Sequence, residues 1–419
     1  MTLFYNLGIY FYSALIRVAA LFNEKAKFMV TGRKNWQSQL QAKVDANARY
    51  LWFHCASLGE FEQGRPVIEA TKKQFPEYKI ILTFFSPSGY EIRKNYEGAD
   101  VVCYLPMDTK SNACSFLNIV KPEKVFFVKY EFWYNFITEL KARHIPLYIV
   151  SAIFREKQQF FKNTPWGKWY RKMLFSFEHL FIQNKLSGEL LSAAGINNYT
   201  ISGDTRFDRV ASIARGAKQF DIVEKFRSGS MIVVAGSTWK PDEELLIEFI
   251  NNLEDTNKVK FIIAPHEVSA ANINRIHQML KKPAISFSKI QNSDIGNQQV
   301  LIIDSIGILS SLYQYGNLAY IGGGFGVGIH NILEAATFGL PIIFGPNYKK
   351  FKEAVDLVEA KGAFSIHDFN QLKGALNLLL NNKNELKNAS GTSKKYVEKN
   401  VGSTKLIIKK VFNTEIDFA

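Results

Sequence analysis

Cysteine is scarce in this 419-residue chain, which contains Cys55, Cys103 and Cys114 and no other. None of the three is spaced from another as paired metal ligands are, and an odd, sparse set argues against a disulfide framework. The sequence therefore fits a protein of a reducing compartment.

The sequence also lacks two patterns that are common in nucleotide-dependent enzymes. It has no Asp-x-Asp pair and no histidine and carboxylate cluster at metal-ligand spacing, so the usual means of neutralising a diphosphate with a divalent cation is missing. The glycine-rich stretch Gly322–Gly328 fails the Gly-x-Gly-x-x-Gly spacing in every register. These absences disfavour a nicotinamide oxidoreductase and predict an activity without metal or other cofactor.

Acidic residues are outnumbered by basic ones, with 38 against 52, a formal net charge of +14 and a pI of about 9.4. Such a charge attracts nucleic acid, an anionic membrane surface or phosphorylated substrates. A solvated basic surface without function is the alternative. The composition is that of a globular protein, and the length suits two domains of roughly 200 residues each.

Charge is nearly absent from the N-terminal segment, where Arg17 is the only charged residue between Leu3 and Phe22. We predict that residues 1–34 form an apolar helix with a basic flank that associates with a membrane, whether lying on it or spanning it. A helix buried against its own domain is the alternative, and a secretory signal is disfavoured because the basic residues follow the apolar run. The polar residues of the segment fall on one stripe of a helix: Thr2, Asn6, Ser13, Arg17 and Glu24.

The rest of the chain alternates short apolar runs with longer amphipathic stretches, which indicates parallel sheets covered on both faces by helices. The pattern turns polar around Asp204–Gly229, and a second series then begins. We predict an α/β fold of two doubly wound, Rossmann-like lobes with a cleft between them, over residues 35–215 and 216–419. Helices are expected over Leu372–Phe412, one of which could cross back to the first lobe. The expected strands are Tyr50–Cys55, Lys79–Thr83, Val101–Tyr104, Lys124–Val128, Leu147–Val150, His179–Ile182, Met231–Ala235, Val259–Ala264, Val300–Asp304, Leu318–Ile321 and Pro341–Phe344.

Two turns of the first lobe carry a carboxylate at the carboxyl end of a strand, where such sheets bind ligands. The stretch His54–Glu60 leads into a helix whose positive end favours the carboxylate of Glu60. A capping box formed by Ser57 and Glu60 is the alternative. The stretch Lys129–Trp133 places Glu131 between aromatic residues, although a solvated glutamate at a helix start would look the same.

Three turns of the second lobe are candidates for binding a phosphate. Gly236–Trp239 and Ala264–Glu267 each follow a strand, although Gly-Ser-Thr is also an ordinary helix cap. The stretch Ile321–Glu334 carries five glycines within seven residues, which lets a phosphate approach bare backbone amides. We expect a helix to start near His330, and a flexible glycine loop is the alternative.

Together these motifs resemble, in order, those of the Kdo (3-deoxy-D-manno-octulosonic acid) transferases of lipopolysaccharide synthesis. The resemblance runs from the N-terminus to about Glu359. It implies a GT-B fold and a metal-independent glycosyltransferase that moves Kdo from CMP-Kdo to a tetraacylated lipid A precursor. It also implies a position on the anionic cytoplasmic face of the bacterial inner membrane and no nucleic-acid partner. The stretches that carry it are His54–Glu60, Tyr130–Trp133, Gly203–Asp208, Gly236–Thr238, Ala264–His266, Asp304–Gly307 and Gly328–Glu334.

The resemblance implies roles for individual residues. Glu60 matches the general base, Glu131 matches a residue that stabilises the transition state, and Arg206 falls where the family has a lysine in that role. The usual Pro-Arg-His reads Pro-His-Glu here, and a planar guanidinium at Arg206 is not a point charge. The usual acidic residue after Gly307 is also replaced, by isoleucine. The positions that match CMP-binding residues are Pro265, His266, Ile306, Gly307, Ile308, Asn331, Ile332, Leu333 and Glu334.

Two other functions remain as alternatives. One is a GT-B transferase that uses a UDP-sugar in envelope synthesis, and the other is a non-catalytic basic protein that binds a membrane or RNA. The missing metal site agrees better with a CMP-sugar, because a departing monophosphate ester needs less charge neutralisation than a diphosphate.

Overall fold

The computed structural model describes residues 1–254, 258–290 and 295–414 of the chain. These residues form two compact units. Unit 1 comprises Met1–Arg209 and the segment that begins at Gly402, and unit 2 comprises Val210–Val401. The expected limit between residues 215 and 216 lies close to this division, but the assignment of the whole C-terminus to the second lobe was wrong.

Unit 1 is built on a seven-stranded sheet in which neighbouring strands are parallel. Its strands are β1 (Arg49–Cys55), β2 (Tyr78–Phe84), β3 (Val101–Tyr104), β4 (Pro122–Val128), β5 (Leu147–Ala152), β6 (His179–Ile182) and β7 (Tyr199–Ile201). They lie in the order β3-β2-β1-β4-β5-β6-β7. Its helices are α1 (Thr2–Ala19), α2 (Glu24–Thr31), α3 (Trp36–Lys43), α4 (Leu58–Gln74), α5 (Pro87–Arg93), α6 (Lys110–Val120), α7 (Tyr134–Ala142), α8 (Pro165–Leu174) and α9 (Lys185–Ala193).

Unit 2 repeats this plan with strands β8 (Met231–Thr238), β9 (Val259–Pro265), β10 (Ala284–Ser286), β11 (Val300–Ile302), β12 (Leu318–Ile321), β13 (Ile342–Phe344) and β14 (Ala363–Ser365). The order is β10-β11-β9-β8-β12-β13-β14, again parallel. The two units divide within α10 (Arg206–Arg215). The remaining helices are α11 (Asp221–Arg227), α12 (Lys240–Asn251), α13 (Ala270–Met279), α14 (Leu309–Leu312), α15 (Leu333–Ala336), α16 (Lys352–Glu359), α17 (Phe369–Asn381), α18 (Lys383–Asn400) and α19 (Ser403–Phe412). Short 3-10 turns are found at Gln159–Phe161, Phe287–Lys289, Ile295–Asn297 and Tyr313–Tyr315.

Both faces of the unit 1 sheet are buried, because side chains alternate between the faces along each strand. Trp52 of β1 belongs to a core with residues of α6 and α7, whereas Phe53 belongs to a second core on the other face. Ile407 and Ile408 of α19 are fully buried in that second core. This burial explains why the C-terminal helix belongs to unit 1: its apolar side chains cover one face of the unit 1 sheet.

Each expected strand is found, with ends shifted by up to a few residues. The strands that were not expected are β7, β10 and β14, which are three residues long and lie at sheet edges. An edge strand needs less apolar surface than a central one, so such short segments leave little pattern in the sequence.

Helix α1 packs one face against unit 1, and of its predicted polar stripe Thr2 and Arg17 are exposed. Asn6 and Ser13 are half-buried, and Ile9 is the buried residue of the helix. One face of α1 is therefore docked on its own unit, and the other face is exposed. Among the residues that the structure describes, no helix is both long and apolar enough to cross a membrane. Large apolar side chains of α1 that are at least half exposed are Leu3, Phe4, Leu7, Phe11, Leu15 and Val18.

Candidate active site

The order of strands in unit 1 reverses between β1 and β4. Strands β2 and β3 lie on one side of β1, and β4 to β7 lie on the other. At such a reversal the carboxyl ends of the two strands open a crevice, which is the usual ligand site of an open α/β sheet. Glu60 follows β1 in the first turn of α4, and Glu131 follows β4. The structure thus brings the two predicted catalytic carboxylates to the same edge of the sheet.

Glu131 is 8% exposed and accepts two hydrogen bonds at one carboxylate oxygen. His54 Nε2 lies 3.0 Å from Glu131 Oε2, and Trp133 Nε1 donates to the same oxygen at 2.6 Å. Behind the imidazole, His54 Nδ1 lies 2.8 Å from Thr83 Oγ1, which accepts a 2.8 Å bond from Trp52 Nε1. The ring of His54 is fully buried.

One proton arrangement satisfies this whole chain. Trp52 donates to Thr83, and the Thr83 hydroxyl donates to His54 Nδ1. His54 can then donate through Nε2 to Glu131 Oε2, the oxygen to which Trp133 also donates. Two ring N–H groups therefore hold the Glu131 carboxylate in place.

Glu60 is half-buried and has a different environment. The Ser57 hydroxyl donates to Glu60 Oε2, and Ser57 makes no side-chain cap bond to the helix backbone. A capping box requires the serine oxygen to accept a backbone N–H, so the structure does not form the capping box that was the alternative for this motif.

Cys55 lies close to both carboxylates at the end of β1. Burial, and after it the charges of Glu60 and Glu131, raise the pKa of its thiol well above the ordinary value. The thiol therefore stays protonated and is no candidate nucleophile.

Arg206 begins α10 and is bound to the buried Asp204. Its backbone N–H donates to Asp204 Oδ1 at 2.9 Å, and its Nε donates to Oδ2 at 2.9 Å. Gln63 Nε2 donates to both oxygens of Asp204, at 3.2 and 3.3 Å. Because Gln63 lies one turn after Glu60 on α4, Arg206 is connected through Asp204 to the helix that carries Glu60.

Left-handed backbone conformations mark the carboxyl ends of several strands. Lys129 after β4 has φ 70°, Ser151 in β5 has φ 56°, and Ser237 in β8 has φ 53°. Such a conformation costs a non-glycine residue about 1–3 kcal/mol and persists where the surrounding structure imposes it, which is often at a functional site.

In unit 2 the order of strands reverses between β8 and β12, and the glycine loop follows β12. A Cβ atom on Gly322 would lie 2.3 Å from the carbonyl oxygen of Ser237. A Cβ atom on Gly324 would lie 2.6 Å from Gly345 Cα. The loop is packed backbone against backbone, which argues against the alternative of a flexible loop.

Asp242 fixes this loop from within. Its Oδ2 accepts the backbone N–H of Gly323 at 2.9 Å, and its Oδ1 accepts the Tyr320 hydroxyl at 2.7 Å. Trp239 N also donates to Oδ2, at 2.9 Å. The pKa of Asp242 is raised overall, because the effect of burial exceeds that of the three hydrogen bonds, which lower it.

Three aromatic rings stack beside the glycine loop. Trp239 Nε1 donates to His330 Nε2 at 3.0 Å, with the two ring planes within 9°. The ring of His266 stacks on both, at centroid distances of 4.3 Å from Trp239 and 4.7 Å from His330. Burial, followed by the neighbouring His266, lowers the pKa of His330. His330 is therefore neutral at pH 7, as the bond from Trp239 requires.

The other predicted donor-binding residues differ in what they can present to a ligand. Ile306 is 88% exposed, and Gly307 has φ 90°. Ile332 and Leu333 are buried, so only their backbones could touch a donor. The remaining members are Pro265, which is buried at the end of β9, Ile308, which is half-buried before α14, and Asn331 with Glu334, which are joined by a 3.1 Å hydrogen bond.

The expectation of a helix from about His330 was wrong, since α15 begins at Leu333. Asn331 Oδ1 accepts the backbone N–H of Leu333 at 3.1 Å. The asparagine thus precedes the helix and binds one of its free N–H groups.

Sequence reasoning missed several residues that hold these sites. His54 and Trp133 lie inside motifs that were noticed, yet nothing indicated that both bind Glu131. Asp204 and Trp239 also lie in stretches that were named, without a role of their own, and Asp242 lies in none. An aspartate two residues before Arg206 was the one local signal available. Within the described parts of the chain, no group of three or more histidine, cysteine, aspartate or glutamate residues could hold a metal ion.

Known proteins resemble this chain over most of its length. A family model described as 3-deoxy-D-manno-octulosonic-acid transferase (kdotransferase) matches residues 29–209, which include the positions of Glu60, Glu131 and Arg206. The chain is 29% identical to the 3-deoxy-D-manno-octulosonic acid transferase of Rickettsia bellii (strain RML369-C), over 84% of this chain and 85% of that protein. Its identity to the transferase of the same name from Aquifex aeolicus (strain VF5) is 28%, over 80% of this chain and 88% of that protein.

A solved structure shows the fold alone. UDP-GlcNAc 2-epimerase from Neisseria meningitidis bound to UDP-GlcNAc superimposes with a TM-score of 0.59 at 14% identity, over 87% of this chain and 100% of that one. This similarity agrees with a two-lobed, GT-B-like α/β fold.

Proposed function

We propose that this chain, which is similar to 3-deoxy-D-manno-octulosonic acid transferases over most of its length, transfers Kdo from CMP-Kdo to a lipid A precursor, with inversion at the anomeric carbon. The observation that carries the proposal is the pair of carboxylates at the reversal between β1 and β4. Glu60 is half-buried beside a serine hydroxyl, whereas Glu131 is buried and bound by two N–H donors. Two carboxylates in such different environments are suited to two different roles.

Glu60 is the proposed general base. A sugar hydroxyl is a poor nucleophile until a positioned group accepts its proton. In the proposed step the acceptor hydroxyl oxygen bonds to the anomeric carbon of Kdo while its proton passes to Glu60. The bond from that carbon to the phosphate oxygen breaks, and CMP leaves with the electron pair. One displacement inverts the anomeric carbon and forms no covalent intermediate with the protein.

Glu131 is proposed to stabilise the transition state. Bond breaking leaves positive charge on the sugar ring, and a fixed carboxylate stabilises such charge without having to reorganise. The bonds from His54 and Trp133 hold that carboxylate in place.

Arg206 is proposed to stabilise the negative charge that develops on the leaving phosphate. Its guanidinium is about one-third exposed and is oriented by Asp204, so it can face an anionic group while held from behind. A monophosphate leaving group gains less negative charge than a diphosphate, and one cation with backbone dipoles can replace a metal ion. The proposed activity is therefore metal-independent.

The proposed donor site in unit 2 consists of the glycine loop and the aromatic stack. Backbone amides beside glycines allow a phosphate to approach closely, and His266 with Trp239 offers flat surfaces for packing against a ring. Of the residues that match the family's CMP-binding positions, His266, Ile306, Gly307 and Asn331 are exposed.

The acceptor is a lipid, and unit 1 has features that suit a membrane surface. Helix α1, which carries the exposed apolar side chains, contacts α8, since the rings of Tyr5 and Trp169 are 5.6 Å apart. On α8, Trp166 stacks on Trp169, and Lys168 and Lys172 are exposed. Aromatic and basic residues beside apolar ones are typical of the interface of an anionic membrane. These features support the proposal that the protein acts at a membrane surface, and we propose that this surface is the cytoplasmic face of the bacterial inner membrane.

One incubation tests the proposal. The protein is mixed in detergent with CMP-Kdo and a tetraacylated lipid A precursor, and the lipid is analysed by mass spectrometry. A parallel set replaces CMP-Kdo with UDP-sugars. We expect the acceptor to gain the mass of Kdo only with CMP-Kdo. Transfer from a UDP-sugar alone, or no transfer from either donor, would refute the assignment.

A further inference from the structure

Helix α1 is hydrogen-bonded to the polypeptide that immediately follows Glu131. The Tyr5 hydroxyl donates to Asp108 Oδ2 at 2.6 Å, and Asp108 is 1% exposed. The same aspartate accepts the backbone N–H groups of Asn135 and Phe136, each at 3.0 Å. Asp108 therefore caps the start of α7, and Tyr5 of α1 completes its set of donors.

Three further contacts join α1 to the same place. The backbone N–H of Tyr134 donates to the Tyr5 hydroxyl at 3.3 Å, and the hydroxyls of Thr2 and Tyr134 are 2.9 Å apart. Asn135 Nδ2 donates to Asn6 Oδ1 at 3.0 Å. One turn of α1 thus binds both of the first two residues of α7.

A second connection from α1 consists of aromatic rings. Tyr12 stacks on Phe85 at a centroid distance of 6.4 Å, and Phe85 contacts Trp133 at 4.5 Å. Phe85 is itself held, since Arg33 Nη2 donates to its carbonyl oxygen at 2.6 Å. Trp133 is the residue whose indole N–H donates to Glu131.

Lys129–Trp133, the Glu131 loop, is therefore held at its two ends by different elements. It begins at β4, where the backbone N–H of Lys129 donates to Val150 of β5 at 2.8 Å. It ends at α7, where Asp108 and residues of α1 supply the holding groups. A loop held in this way changes position when either end is released.

We propose that α1 is a positioning element for the Glu131 loop, so that the docking of α1 sets the rate of the transfer step. This inference rests on the function proposed above, in which Glu131 acts in the transition state. It gives α1 a role beyond attachment to a lipid surface. The polar face of α1 holds the loop, and its opposite apolar face remains exposed.

The test uses the full chain in detergent with a saturating lipid acceptor, so that membrane attachment does not limit the rate. Tyr5→Phe removes one hydroxyl and keeps the ring. Tyr199→Phe is the matched control, because the Tyr199 hydroxyl is also hydrogen-bonded, to Ser192 at 2.9 Å, but on the edge strand β7. Asn6→Ala removes the acceptor of the bond from Asn135 Nδ2 and so tests the same coupling at a second residue of α1.

We expect Tyr5→Phe to lower kcat about ten-fold, because small displacements of a catalytic group have large effects on rate. The affinity for CMP, measured by calorimetry, should stay at the wild-type value. The Tyr5→Phe protein should melt below the Tyr199→Phe control, because the buried Asp108 loses a donor, but should be fully folded at the assay temperature. Asn6→Ala should lower kcat in the same direction by a smaller factor. Wild-type kcat in both α1 variants would overturn the proposal, as would an equal loss in the control.

Hydrogen exchange provides a readout that does not depend on turnover. Amides of residues 130–136 should exchange faster in Tyr5→Phe than in wild type, whereas those of β1 should not change. If the wild-type protein failed to transfer Kdo, the proposed function would be wrong, and this exchange result would still test the coupling. Unchanged exchange of residues 130–136 would refute it.

Discussion

The negative charge of Glu131 can be removed with little change in shape. Both donors, His54 and Trp133, bind the same oxygen of Glu131, so in Glu131→Gln the amide oxygen can take its place and accept both bonds. Bonds to a charged acceptor contribute roughly 1.5–3 kcal/mol and neutral ones 0.5–1.5 kcal/mol, so we expect the variant to lose about 1–2 kcal/mol of stability. It should remain folded at room temperature.

The effect on rate should be larger. A carboxylate about 5 Å from a developing positive charge, at an effective dielectric constant of about 20, contributes about 3 kcal/mol. Loss of that term lowers turnover by about 10²–10³-fold. Release of CMP at saturating CMP-Kdo and lipid acceptor measures it, with a melting curve on the same sample.

Glu123→Gln is the matched control, because Glu123 lies at the other end of the same strand, β4, in an exposed pair with Arg49. It should cost less than about 1 kcal/mol of stability and leave turnover unchanged. If Glu131→Gln is folded and retains wild-type turnover, Glu131 does not stabilise the transition state electrostatically. The argument from its two hydrogen bonds would then be wrong.

Three further predictions concern other parts of the chain. Turnover in excess chelator should stay near the untreated rate, and a collapse that magnesium restores would contradict a metal-independent reaction. Removal of residues 1–22 should weaken co-sedimentation with anionic liposomes, because burying the exposed apolar side chains of α1 in lipid contributes roughly 25 cal/mol per Å². The shortened protein should stay soluble. An insoluble product would instead make α1 part of the core. The pKa of His330 should lie below its ordinary value of 6.5, because burial and then the neighbouring His266 disfavour the charged imidazole. The contribution of neutral His330 to stability is therefore present above about pH 6.5 and is lost as the pH falls through the lower folded-state pKa. Nuclear magnetic resonance titration compared with His330→Gln checks this, and a pKa at or above 6.5 would contradict it.

The central strands could be predicted because they are buried on both faces and consist of continuous apolar runs. The position of Glu60 and Glu131 at the carboxyl ends of strands was predicted from the alternation of strands and helices. The order of strands, which makes β1 and β4 neighbours, was not predicted. Strands β7, β10 and β14 escaped because three residues at an edge carry too little pattern.

The hydrogen bonds around the site could not be predicted in the same way. The bond between His54 and Glu131 joins residues 77 positions apart, and that between Tyr5 and Asp108 joins residues 103 apart. No repeating pattern in the sequence links the two residues of either pair. The polar stripe of α1 was visible in the sequence, but only long-range contacts show that Asn6 faces the protein while Arg17 is exposed.

Glu60→Gln tests the central claim most directly, because it keeps the size of the side chain and its ability to accept from Ser57 but cannot take up the acceptor proton. We expect turnover of CMP-Kdo with lipid acceptor to fall by roughly 10²–10⁴-fold. The affinity for CMP-Kdo and the melting temperature should change little, since the proposed donor residues lie in unit 2. A folded Glu60→Gln protein that transfers Kdo at a near wild-type rate would remove Glu60 from the mechanism and contradict the account.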